Sequence, residues 1–167
     1  MKNCNCSGGR ICPVRGECKE DCVIYQCTVE NQENGNHDKY VGLSETMFKT
    51  RYNSHKNSFK YEEHRHKTKL SGHIWDLKDK KMDFELSWRI LSKTNSYSPT
   101  TKICNLCNRE IYYIIYKPTL ANLNKRNEIM SNCKHRDKHK LRNQKWKWKG
   151  IPGNYEDNLL TIYWFII

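Results

Sequence analysis

Acid is scarce in this chain. Its 167 residues include 18 Asp and Glu against 30 Lys and Arg, a formal charge of +12. The imbalance argues for a polyanionic partner over an acidic small substrate, and nucleic acid is the first candidate. Lysines that merely keep the surface soluble are the plainer alternative, although Trp- and Tyr-rich segments interleaved with the basic residues also offer stacking partners. Long apolar runs are missing too. The longest, Leu159 to Ile167, is about half the length of a membrane span, so no membrane partner is expected. No apolar h-region follows Met1-Lys-Asn-Cys-Asn-Cys6, so no secretory signal is expected and the protein reads as intracellular. In a reducing compartment, nine cysteines point to metal ahead of disulfides. Neither an internal repeat nor a heptad pattern is present.

Residues 1–22 are too polar and too interrupted by glycine to bury a core, yet they carry Cys4, Cys6, Cys12, Cys18 and Cys22. Tetrahedral zinc needs soft ligands brought within bonding distance. Cys4, Cys6, Cys12 and Cys18 can supply them from one loop, with turns at Pro13 and Gly16. Cys22 could replace one of them, and disulfides or free thiols in a flexible arm are the competing readings. A second candidate set pairs Cys104-x2-Cys107 with Cys133-x-His135, tying two distant segments together.

Between the two cysteine sets the patterning alternates between strand and helix. Val23 to Val29 is β-branched and aromatic, and a polar loop with Asn34-Gly35 leads to Tyr40-Val-Gly42, which predicts a hairpin. A helix is predicted from about Ser44 to Phe59, capped by Ser44 or Thr46, with Phe48, Tyr52, His55 and Phe59 on its apolar stripe. Arg51 and His55 stand one turn apart at the border of that stripe. A cation and a titratable imidazole so placed could face a phosphodiester, although a solvated basic helix explains them as well. Lys60 to Lys67 reads as a charged link whose Glu62, Glu63, His64, Arg65 and His66 are solvated, and Thr68 to Lys78 as a helix with Leu70, Ile74 and Leu77 on one face. A third strand is predicted over Phe84 to Leu91, then a loop over Lys93 to Thr101. Ile103 to Tyr116 reads as a helix ended by Lys117-Pro118, with Ile103, Cys107, Glu110 and Ile114 on one stripe. A carboxylate on a buried face calls for a salt bridge or a metal. Residues 138–167 form a basic, aromatic tail. The division expected is therefore a cysteine-rich zinc segment over 1–22, a domain over 23–137 and the tail.

The order Val23-Ile-Tyr25, Tyr40-Val-Gly42, Arg51, His55, Glu110 and Asn124 resembles the GIY-YIG endonuclease superfamily. It is most similar to the endonuclease module of Penelope-like retroelements, where a cysteine-rich segment precedes the first strand. Phrases like Phe48-Lys-Thr-Arg-Tyr-Asn-Ser-His55, Cys104-Asn-Leu-Cys107 and Leu123-Asn-Lys-Arg-Asn-Glu128 also recur in that group. Val23 stands where the name motif has Gly and Val41 where it has Ile, and both keep strand character. The resemblance implies a small α/β fold, a three-stranded antiparallel sheet flanked by helices. It also implies a DNA-cutting activity that uses one Mg²⁺ or Mn²⁺ ion, and hence a nuclear location.

Carried over by position, the resemblance makes Glu110 the ligand of the divalent ion. Tyr25 becomes the general base or the partner of the attacking water, and His55 an alternative base or relay. Arg51 neutralises charge on the phosphate, Tyr40 orients water or phosphate, and Asn124 completes the hydrogen bonding. A phenol is a poor base unless cations lower its pKa, which Arg51 and the metal are expected to do. Related elements carry a reverse transcriptase ahead of this module, a possible partner that nothing in this chain can itself supply. The competing expectation is a zinc-stabilised nucleic-acid-binding module that does not cut.

Overall fold

A computed structural model describes residues 4, 6, 11–33 and 35–125. Cys133 and His135, the stretch 126–137 and the tail 138–167 lie outside the described residues.

Three strands build the sheet. β1 (Val23–Asn31) runs antiparallel to β2 (His37–Ser44) on one side and β3 (Phe84–Lys93) on the other, in the order β2-β1-β3. The central strand is the one whose sequence is apolar with little alternation, as a strand covered on both faces must be. Val23, Tyr25, Cys27 and Val29 point to one face and join Tyr40. Phe48 of α1 (Phe48–Lys60) and Leu70, Ile74 and Leu77 of α2 (Lys69–Asp79) close over them. Ile24 and Val41 point to the other face, where Leu106, Cys107 and Ile114 of α3 (Asn105–Tyr116) cover them. The sheet is therefore flanked by helices on both sides, and the cysteine-rich segment joins the first layer through Val14 and Cys18. No described helix is long and apolar enough to cross a membrane.

Helix starts differ from the sequence expectation, for local reasons. α1 begins at Phe48, not near Ser44, because Ser44 is the last residue of β2 and its hydroxyl donates to the Thr46 carbonyl, 2.7 Å. Neither Ser44 nor Thr46 is the cap; Met47 holds that position and offers no side-chain bond. Instead Phe48 N–H donates to the Glu20 carbonyl and Lys49 N–H to the Cys18 carbonyl, both 2.8 Å, so the cysteine-rich segment caps α1. α2 starts as predicted, with Thr68 Oγ1 accepting from Ser71 N–H at 3.0 Å. α3 begins at Asn105 because Ile103–Cys104 forms a short strand, β5, paired with β4 (Tyr97–Ser98) inside the stretch expected to be loop. Ile103 consequently leaves the helical stripe and is exposed.

Two polar devices fix the remaining pieces. Gln26, buried on the α3 face of β1, donates to the Leu120 carbonyl at 2.6 Å and accepts from Arg89 Nε at 2.7 Å. The segment after α3 then runs along the outer edge of β2. Leu123 N–H donates to the Lys39 carbonyl at 3.0 Å, and the Asn124 amide takes both the N–H and the carbonyl of Val41, each at 2.8 Å. An exposed sheet edge is thereby paired.

Candidate active site and metal cluster

β1 and β2 are in a register that sets Tyr25 opposite Gly42 and Cys27 opposite Tyr40. Tyr25 lies across Gly42 so closely that a Cβ there would stand 2.5 Å from its hydroxyl oxygen and 3.0 Å from Cε1 of Tyr40. Glycine is required by this close approach. The pairing of β1 with β3 shifts register at Ile24/Tyr25, the kind of irregularity that re-aims a side chain. From α1, one turn apart, Arg51 and His55 reach the same phenol. Arg51 Nε donates to Tyr25 Oη at 3.0 Å, and Tyr25 Oη lies 2.8 Å from His55 Nε2. Tyr40 sits against both rings, at centroid distances of 6.5 Å from Tyr25 and 6.0 Å from His55. Tyr25, Tyr40, Arg51 and His55, four of the six residues expected at one site, are thus in contact.

Their burial decides the proton positions. Tyr25 has no exposed surface and His55 is 2 % exposed. Burial, helped by the nearby Arg51 charge, lowers the His55 pKa to about 3, so the imidazole is neutral and Nε2 can accept. With Arg51 donating to Tyr25, the phenol hydrogen satisfies all three groups only if it points at Nε2. The chain is directed: Arg51 to Tyr25 to His55. The expected lowering of Tyr25 is not what results. Burial first, then Tyr40, pushes the phenol well above its ordinary value, and the Arg51 charge and hydrogen bond offset only part of this. Burial likewise pushes Tyr40 up to about 12 against the pull of Arg51. Neither tyrosine is a ready base at neutral pH.

Glu110 arrives from α3, on the opposite layer. It is half-buried, not fully on the apolar stripe, which is made of Leu106, Cys107, Ile111 and Ile114. Its carboxylate is close enough to raise both Tyr25 and Tyr40 by charge. Among the described residues, the only group of three or more metal-ligating side chains is the N-terminal cysteine cluster, and Glu110 belongs to no such group. Asn124 is brought beside the site, but its amide is committed to Val41, between Tyr40 and Gly42. It fixes the strand that carries Tyr40.

The N-terminal cysteines form the second constellation. The ligand sulfurs of Cys4, Cys6, Cys12 and Cys18 all lie within 4.8 Å of one another, with Cys18 at 3.4 Å from Cys4 and 3.6 Å from Cys6. Zinc–thiolate bonds of about 2.3 Å require sulfurs roughly 3.8 Å apart along a tetrahedron edge, so this cluster can chelate a structural metal of the zinc type. The Cys6 backbone N–H, 3.3 Å from Cys4 Sγ, and the Cys18 thiol lower the Cys4 pKa to about 7, favouring the thiolate that binds metal. Cys22 is turned away, its thiol donating to the Glu45 carbonyl at 3.5 Å. Cys27 is a buried core thiol that burial pushes up. Cys104 and Cys107 are both buried on the α3 face, while Cys133 and His135, the other half of that set, are outside the described residues.

The sequence reading passed over Trp88 of β3 as a strand residue. Its ring lies 5.4 Å from His55, 5.9 Å from Tyr25 and 5.5 Å from Tyr52, roofing the buried imidazole. A lone Trp in an alternating strand was the available signal. Comparison of the chain with protein-family models, with curated proteins and with solved structures finds no match to any of them.

Proposed function

We propose that the chain is a metal-stapled nucleic-acid-binding module whose Tyr25–Arg51–His55–Glu110 centre makes it a divalent-ion-dependent DNA endonuclease of GIY-YIG type. The binding half needs fewer steps: it rests on four clustered thiols and the +12 charge, and it holds even if the chain does not cut. The cutting half rests on one observation, the hydrogen-bonded Arg51–Tyr25–His55 chain within the field of the Glu110 carboxylate.

In this reading Arg51, a fork of five donors of which Nε is held by Tyr25, takes a non-bridging oxygen of the scissile phosphate. Tyr40, at the rim, orients the attacking water. As that water attacks phosphorus and the bond to the leaving oxygen breaks, its proton passes to solvent, because an imidazole whose pKa is lowered to about 3 is no acceptor for it. His55 Nε2 instead holds the Tyr25 hydroxyl in place, and Tyr25 stays protonated throughout, which suits a phenol whose pKa is raised. Glu110 would hold the divalent ion, which would supply positive charge to offset the negative charge building up in the reaction. Val23 and Val41 in place of the name motif's Gly and Ile leave these side chains untouched. In a retroelement the module would act beside a reverse transcriptase.

Plasmid nicking with Mg²⁺, run beside DNA-binding and zinc quantitation, tests both halves. Wild type should nick, Glu110→Ala should bind but not nick, and both should hold zinc. Binding without nicking by wild type as well as variant leaves the non-cutting module as the correct reading. Absence of salt-dependent DNA affinity overturns both.

A further inference from the structure

A groove of about 700 Å³ opens on the face of α1 away from Arg51, between the cysteine loop, α1 and β3. Its walls combine two chemistries. Tyr52, Phe59 and Trp88 supply aromatic surface, while Arg15, Lys56 and Lys60 supply cations, and among the described residues no acidic side chain lines it. Arg15, Lys56 and Lys60 are exposed, Tyr52, Phe59 and Trp88 are half-buried, and Ile11 stands at the rim 96 % exposed. Lys56 Nζ lies 5.8 Å above the Tyr52 ring, so charge and π-face are presented together.

Aromatics with surrounding cations and no acid suit a ligand that is negatively charged along a backbone and flat in its side groups. Bases in a duplex have their faces covered by neighbours, so only unstacked bases can use such walls. We infer that this groove binds a single-stranded nucleic-acid segment beside the phosphate-facing centre, with Trp88 between the two. The inference rests on the nucleic-acid reading above and deepens it. For an enzyme that nicks a duplex, the groove holds a strand freed beside the cut. One wall contains Cys12 and Pro13, so loading of the cysteine cluster shapes it.

Fluorescence anisotropy of zinc-loaded full chain with labelled oligo-dT and with a duplex of equal length tests this. Tyr52→Leu keeps apolar packing but removes the stacking face, and Lys56→Gln with Lys60→Gln removes two exposed cations. Tyr52→Leu should bind oligo-dT roughly tenfold more weakly. The double variant should flatten the salt dependence by about 1.4 in log–log slope, about 0.7 for each lost phosphate contact. Duplex affinity should change little in either. Equal losses on oligo-dT and duplex, or none on oligo-dT, overturn the groove and leave the nuclease reading standing, as does wild type that binds duplex but not oligo-dT. Poly-glutamate that competes as well as oligo-dT at equal charge would show that charge alone is read, and also overturns it. Failure of wild type to bind either nucleic acid overturns both readings together.

Discussion

Gly42→Ala isolates the contact on which the tyrosine site depends. The added Cβ would lie 2.5 Å from Tyr25 Oη and 2.7 Å from Cζ, where ordinary contact begins at 3.4 Å, so the phenol must move by roughly an ångström. It has nowhere to go. Phe48, His55 and Trp88 surround the ring at centroid distances of 5.4, 5.8 and 5.9 Å. Overpacking of this kind costs about 1–3 kcal/mol, and pulling Tyr25 off Arg51 or His55 adds about 1–3 kcal/mol. A fall in melting temperature on the order of 10 °C follows. Nicking should fall about a hundredfold, since displacements near 1 Å at a reacting centre cost that much. Gly72→Ala in α2 is the control. Its Cβ would meet nothing closer than the Arg65 carbonyl at 3.8 Å, so helix propensity should raise stability by about 0.5–1 kcal/mol. Calorimetry and nicking assays on the three proteins decide the matter. A Gly42→Ala protein that melts with wild type and nicks at the wild-type rate would refute the placement of Tyr25 against β2.

Cys18→Ser should lower bound zinc by one equivalent, measured with a chromogenic chelator. It should also cut helical circular dichroism, because the Cys18 carbonyl that receives Lys49 N–H moves with the cluster. His55 gives a pH signature. Its folded pKa of about 3 lies below the ordinary 6.5, so the unfolded chain binds more protons between those values and stability is lost as pH falls from 6.5 toward 3. The slope should approach 1.4 kcal/mol per pH unit in urea titrations, and the His55→Phe protein should lack that component. Asn124→Ala should cost about 1–2 kcal/mol by urea denaturation, having removed two bonds to Val41 at the edge of β2, with Asn124→Asp intermediate because it keeps only the acceptor.

Strands β1 to β3 and helix α2 were legible because their information is local: β-branched runs and an apolar stripe. The start of α1 was not. Ser44 and Thr46 look like caps, but the groups that receive the first N–H bonds are the carbonyls of Glu20 and Cys18, contributed from far back in the chain. Propensity carries no trace of such a partner. Convergence of Tyr25, Tyr40, Arg51 and His55 was legible only through the order of residues in the chain, since nothing in a single segment says that β1 and α1 share a face. The direction of the tyrosine shifts was misread for a different reason. Arg51 is visible in sequence, whereas the layer of Phe48 and Trp88 that removes water from Tyr25 is tertiary, and burial outweighs one adjacent cation. Gln26 shows the same limit: a polar residue in an apolar strand gives no hint that Leu120 and Arg89 satisfy it.

A thiol cluster anywhere on the surface could staple a loop, but this one bears on how an anion is held. α1 would ordinarily present unpaired N–H groups and the positive end of its dipole at Phe48, a ready phosphate site. Here the Phe48 and Lys49 N–H groups are spent on the carbonyls of Glu20 and Cys18, and Cys18 is itself a cluster member. With those groups occupied, the proposed phosphate recognition would fall to side chains further along: Arg51 on one face, Lys56 and Lys60 on the other. Arg51 lies only two residues beyond Lys49. A shift of the cluster therefore reaches the Arg51–Tyr25 bond through less than one turn of helix, and the same loop carries Cys12 into the wall of the aromatic groove. Metal loading, the aim of Arg51 and the shape of the groove are thus set by one short piece of chain.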